Sequence, residues 1–245
     1  MTPMTNDVRT ILWKEWKEVL LRGRHSRSDM LKTIVVAPII LSIVVWQASN
    51  FMSNPASLIV PSFVLIQMLI GLMADSFAGE RERHTLETLL ASRLPDVAIL
   101  AGKILAGVLL AWGVMVITLS LGVAVAYVRS GGELNVPFGT LAAFVVIYFL
   151  LCSVVSCAAA LVSLRASTVR QAIQTLAWSF MAVVLLGVFG VSRFPAEWRV
   201  TLMRVLAGEN LLRTEVLLAG ILAIIVVVVF GAARLRFVRS RLILD

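Results

Sequence analysis

The residues best equipped for chemistry lie in one stretch, "FAGERERHTLETLLASRLPD", from Phe77 to Asp96. His84 and Glu87 are three apart, a spacing that lets two metal ligands share a helix face. Two ligands are too few for a zinc site, and the second histidine of the chain, His25, lies in a different segment. Glu80 and Glu82 are the carboxylates nearest to each other. Two apart on a helix, they point in different directions and are poorly placed as an acid–base pair. Neither H-E-x-x-H nor G-x-S-x-G occurs, which argues against a zinc protease and a serine hydrolase. The stretch is therefore not read as catalytic. Nor does it read as a plain solvated loop. Leu86, Leu89, Leu90 and Leu94 recur at i, i+3, i+4 and i+8, a helical stripe, while Glu80, Arg83 and Glu87 fall on a different face. A short amphipathic helix over 80–94 is expected, its leucines on neighbouring helices and its acids facing water and a partner protein. Pro95 and Asp96 then open the next helix, since proline suits the first turn and an acid suits a helix N-terminus.

The elements that must position this segment are apolar. The chain has 245 residues, 60% of them hydrophobic and 15% charged. A soluble domain of that size could not hide so much apolar surface. A spanning helix needs roughly 20 mostly apolar residues, and six stretches qualify, at about 31–49, 58–78, 101–128, 138–164, 171–192 and 212–233. The runs are continuous rather than alternating, which excludes a closed barrel. The fold expected is an all-α polytopic membrane protein with six transmembrane helices. The formal charge of +8 does not point to nucleic acid, because the charges gather at the ends of apolar runs. With both termini in the cytoplasm, 17 of the 22 lysines and arginines fall on the cytoplasmic side, the arrangement that membrane topology favours. Cys152 and Cys157 are five apart in one apolar run and read as packing residues rather than a disulfide.

Two amphipathic segments flank the spans. Residues 6–22 place Val8, Leu12, Trp13, Trp16, Val19 and Leu20 opposite Lys14, Lys17, Glu18 and Arg22. Tryptophan with lysine is the usual interfacial combination. This segment is read as an elbow helix on the inner leaflet, anchored by Trp13, Lys14, Trp16 and Lys17, rather than as a cleaved signal. Residues 195–207 are read as a second amphipathic helix at the outer surface before the last span.

At this point the sequence resembles a known family. "GERERHTLETLLASRLPDVAILAGK" is similar to the signature of the permease subunits of type-2 ABC transporters: an acid, a second acid two later, Thr-x-Glu-x-Leu-Leu, then Gly-Lys opening the third span. Here these are Glu80, Glu82, Thr85, Glu87, Leu89, Leu90, Gly102 and Lys103. His84 stands where the family often has glycine, and Arg93 where it often has proline. The resemblance implies that 80–94 is a coupling helix docked in a groove of a separate ATP-binding subunit, with Glu80, Glu82, Arg83, Thr85, Leu86, Glu87, Leu89 and Leu90 as its contact residues. No G-x-x-x-x-G-K-[ST] phosphate loop occurs in these residues; "LAGKILAG" lacks the earlier glycine and the Ser or Thr. ATP and magnesium would therefore be used by the partner, with no cofactor, metal or catalytic residue in this chain.

The resemblance further implies an exporter of the inner membrane, built from two permeases and two ATP-binding subunits, with spans two and five along the permease interface. Polar side chains in lipid are costly unless they face protein or water. Gln67 in span two, with Gln171, Gln174 and Trp178 at i, i+3 and i+7 in span five, are the candidate translocation-path residues. A helix–helix hydrogen bond explains Gln67 equally well. The mostly apolar path hints at an amphipathic cargo. A membrane-embedded protease or lipid-modifying transferase is the competing class, disfavoured by the missing catalytic constellation. A haem-exporter-like permease is the nearest alternative within the transporters.

Overall fold

Apolar runs longer than a bilayer is thick leave the backbone one economical way to satisfy its own polar groups, the α-helix. The computed structural model describes residues 3–21, 36, 38–42, 58–83, 85, 94–129, 131, 138–193 and 211–237, and among them there is no strand. Helix α1 covers Pro3–Leu21. Helix α2 covers Ile59–Ala74 and runs on through a π-helical turn, Asp75–Gly79, to a last turn at Glu80–Glu82. Helices α3 (Asp96–Arg129), α4 (Phe138–Ser163), α5 (Val169–Arg193) and α6 (Leu211–Arg236) follow. Five of these, α2 to α6, are long and apolar enough to cross a membrane. They coincide with the last five expected spans. The expected first span, 31–49, and the outer helix, 195–207, lie outside the described residues or nearly so; of the former only 36 and 38–42 are described, as helix.

Helix ends follow the local chemistry. Pro3 opens α1, three residues before the expected start, because proline tolerates the first turn of a helix. Asp96 opens α3, and the Pro95 carbonyl accepts from the Ala98 and Ile99 N–H groups at 2.9 and 3.1 Å. At α5 the Thr168 hydroxyl accepts the Gln171 N–H at 3.2 Å, and the Gln171 amide oxygen accepts the Ser167 N–H and hydroxyl at 3.2 and 2.8 Å. This reciprocal arrangement is a variant of the capping box.

The core is built by α2, α3 and α4, which pack on one another; α1 lies along α3, α6 along α4, and α5 against α2 and α4. Leu65, Leu69, Ile70 and Met73 of α2 meet Ile99, Leu100, Ala111 and Met115 of α3 and Tyr148 and Cys152 of α4 in one buried cluster. Small residues set the helix spacing. A Cβ at Gly107 would lie 2.8 Å from the Met73 sulfur, so glycine lets α2 and α3 approach closely. Hydroxyls within the spans bond the carbonyl one turn back, as Thr118 does to Val114 at 2.9 Å and Ser153 to Phe149 at 2.9 Å, which removes their cost in lipid. The Trp112 indole donates to the Val145 carbonyl at 3.1 Å, tying α3 to α4. Cys152 and Cys157 are buried free thiols.

The π turn in α2 has a local cause. Ala78 N–H and Ala74 C=O are the partners of an ordinary α-helical bond. The Ser163 hydroxyl of α4 stands between them, accepting from Ala78 N–H at 3.1 Å and donating to Ala74 C=O at 3.3 Å. A side chain inserted in the ladder is a known origin of such a turn. The wider turn also shifts the angular position of every residue after it.

Candidate functional site

The charges of "GERER" follow directly on this turn. Glu80 is 4% exposed. Its carboxylate turns inward, where Glu80 Oε1 lies 3.0 Å from Lys103 Nζ of α3 and 3.2 Å from Lys14 Nζ of α1. Lys103, 1% exposed, is the centre of the cluster. Its ammonium also reaches Glu15 Oε1 at 2.8 Å, the Ser76 carbonyl at 2.8 Å and the Ser76 hydroxyl at 3.2 Å, and stands 5.3 Å from the centre of the Phe77 ring. The Ser76 hydroxyl donates to Glu15 Oε2 at 3.0 Å. Lys14 bridges outward to Glu18 at 3.3 Å. Burial disfavours the Lys14 ammonium, but the Glu80, Glu18 and Glu15 carboxylates outweigh it and hold this lysine above its ordinary range. One lysine thus joins three elements: α1 through Glu15, the π turn of α2 through Ser76, and the end of α2 through Glu80.

The other three charges of the motif also have partners within the chain. Arg81 donates to the Leu164 and Ala166 carbonyls at 2.8 and 3.3 Å, just past the end of α4. Glu82 Oε1 accepts the Val169 N–H at 2.9 Å, placing a carboxylate on the N-terminus of α5. Arg83 folds back onto Asp75 at 2.6 Å, a pair that Gly79 makes room for, since a Cβ there would lie 2.5 Å from Asp75 Oδ1. Three consecutive charged side chains, Glu80, Arg81 and Glu82, therefore fasten the end of α2 to α1, α3, the α4–α5 turn and α5, while Arg83 closes back on α2 itself.

Several expectations change here. Glu80 offers no surface to a partner: the helical wheel that placed its acid toward water treated 80–94 as a separate helix, whereas 80–82 take their orientation from α2. Residues 80–82 also do not begin a separate helix. They complete α2, and the chain turns at Arg83. Glu82, Arg83 and Thr85 are exposed, and Thr85 N–H bonds the Glu80 carbonyl at 2.9 Å. Leu86, Glu87, Leu89 and Leu90 lie outside the described residues.

The elbow assignments divide in the same way. Ile11 and Glu15 form the buried face of α1, at 2% and 8% exposure. The face centred on Trp13 is the outer one, for Trp13 is 67% exposed and Lys17 is exposed as well. Trp16, one turn on from Trp13 and half-buried, turns toward α3 and donates to the Ala106 carbonyl at 3.3 Å. Trp16 and Lys14 therefore anchor α1 to the bundle, and Trp13 and Lys17 remain available to a membrane surface. Gly102 allows the contact: a Cβ there would lie 2.7 and 2.8 Å from Ile11 side-chain atoms and 3.3 Å from the Val8 carbonyl. Glu15 and Ser76 escaped the sequence reading. The available signal was Lys103 itself, a lysine inside the apolar opening of a span, which requires a buried partner.

Of the path candidates, Gln67 is half-buried in α2, while Gln171, Gln174 and Trp178 are exposed on α5. Gln171 is committed to the helix cap. The Glu15, Glu18 and Glu80 carboxylates lie within 4.8 Å of one another, but the lysine ammoniums occupy the places a metal ion would take, so the cluster reads as an ion-pair lock.

A protein-family model described as "ABC-2 type transporter" matches residues 6–207. No curated protein matches the chain.

Proposed function

From the fact that the chain belongs to the ABC-2 type transporter family, and is thus a multi-pass membrane permease subunit, we propose the finer reading that it is the permease of an ATP-driven exporter in the inner membrane. Both termini face the cytoplasm, as the lysine and arginine distribution favours. An ABC ATP-binding subunit, implied by the family, docks on the segment 82–94, reading the exposed Glu82, Arg83 and Thr85 with Leu86, Glu87, Leu89 and Leu90. ATP and magnesium are bound by that subunit. Two permeases and two ATP-binding subunits complete the assembly. The α5 stripe of Gln174, Trp178, Leu185 and Phe189, at i, i+4, i+11 and i+15 and exposed throughout, supports pairing of two permease copies there, with Gln67 and Gln174 toward the path.

The observation that carries the coupling reading is the set of ties made by Glu80, Arg81, Glu82 and Lys103. A segment fixed to α1, α3 and α5 at once transmits displacement to the bundle instead of bending alone. The test is affinity purification of the chain with its ATP-binding subunit, followed by ATPase measurement on the assembly. Glu82→Arg and Glu87→Arg should release the subunit or uncouple its hydrolysis; Glu82→Arg also loses the carboxylate on the start of α5 and should melt lower by about 1 kcal/mol, whereas Glu87→Arg alone should melt normally. Retention of the subunit and unchanged coupling in the double variant would sink the docking assignment.

A further inference from the structure

Two arginines at the charged end of the bundle have no carboxylate partner among the described residues. Arg165, in the turn after α4, and Arg236, in the last turn of α6, are both exposed. They line one cleft of about 290 Å³ with Leu161, Val162, Gln171 and Thr175. That volume is at the small end for ligand sites and suits a head group rather than a whole lipid or drug. Its polar chemistry is one-sided. The guanidiniums can only donate. Ser167 N–H also can only donate, so the Gln171 amide oxygen must face it, and the NH₂ is the group left to the cleft. No carboxylate lines the cleft among the described residues. Glu82, on the same corner, is committed to Val169 N–H, and Arg81 adds a third positive charge bound only to neutral carbonyls among the described residues.

We propose that this cleft between the ends of α4, α5 and α6 binds the phosphate of an anionic phospholipid. A phosphodiester accepts bidentate hydrogen bonds from guanidinium, for which arginine is better shaped than lysine. The place fits as well as the chemistry. The cleft sits where three apolar helices end, at the level of a bilayer's head groups, and Leu161 and Val162 continue it as an apolar wall for the first acyl carbons. Basic pockets between spanning helices on the cytoplasmic side are the common form of such sites. The site is independent of whether the chain exports or of what it carries.

The test uses the purified full chain in nanodiscs of phosphatidylcholine with increasing phosphatidylglycerol, reading thermal midpoint and the lipid retained in native mass spectra. The wild type should be stabilised by phosphatidylglycerol and keep it preferentially. Each Arg→Gln change should weaken retention about fivefold, the equivalent of one basic contact at an anionic surface, and Arg165→Gln with Arg236→Gln about 25-fold. Arg165→Lys with Arg236→Lys should retain part of the preference, which separates charge from folding damage. Arg193→Gln, at the other end of α5, should change nothing. Inorganic phosphate and glycerol phosphate serve as the soluble arms and should not reproduce the stabilisation. Equal retention by the double variant, an equal loss in Arg193→Gln, or full stabilisation by inorganic phosphate would each overturn the lipid site.

Discussion

Lys103→Met is the most informative single change. The side chains of its partners Glu15 and Glu80 are 10% and 6% exposed, so the substitution leaves two buried carboxylates without their shared cation. It also removes both donations to Ser76. Breaking a buried ion pair from one side costs about 3–5 kcal/mol. Lys14 stays 3.2 Å from Glu80 Oε1, which places the expected loss near the lower end, about 3 kcal/mol. For a chain of this size that is a fall in thermal midpoint on the order of 10 °C. The assay is a melt of the detergent-purified chain, joined to hydrogen exchange of the α1 amides, which should lose protection as Glu15 is released. Removing all the charges is a different perturbation. Glu15→Gln, Lys103→Met and Glu80→Gln together should recover most of the loss, because no uncompensated charge stays buried. A Lys103→Met protein that melts with the wild type and keeps α1 protected would refute the lock.

Further outcomes follow from the same corner of the molecule. Gly102→Ala should destabilise by about 1–3 kcal/mol and loosen α1, since the new methyl meets the stiff Ile11 Cβ and a backbone carbonyl, whereas Gly107→Ala should cost less because the Met73 thioether can swing aside; comparative melts decide. Ser163→Ala removes the hydroxyl that holds the π turn open and should cost about 1–3 kcal/mol, with faster exchange at Ala78 and weakened Arg81 contacts as readout. Trp16→Phe should lower stability in detergent by about 1 kcal/mol through the lost Ala106 bond, while Trp13→Phe should alter only membrane-surface affinity, measured by vesicle binding of the isolated segment 3–21. Lys14 carries a raised folded-state value, so its contribution is complete below its unfolded value of 10.5 and is lost as pH climbs above it. Melts should therefore fall more steeply above that pH in the wild type than in Lys14→Met.

Composition and period were enough to place α2 to α6, because a spanning helix needs a minimum apolar length and leaves a visible run. The start of α3 at Asp96 was legible from Pro95 and Asp96 for the same local reason. The character of "GERER" was not. A wheel drawn on 80–94 as a separate helix turned Glu80 toward water, whereas 80–82 continue α2 beyond the π turn and Glu80 points inward. Nothing near Ala78 in sequence announces that turn, since its cause, Ser163, comes from another helix 85 residues away. Likewise Glu15 and Lys103 are separated by 88 residues. By itself the sequence determined which segments must be helices in a membrane, since that depends on short-range hydrophobicity. Only tertiary structure decided which charges were locked inside and which were left free, since a buried charge is settled by partners that the chain brings back from far along its length.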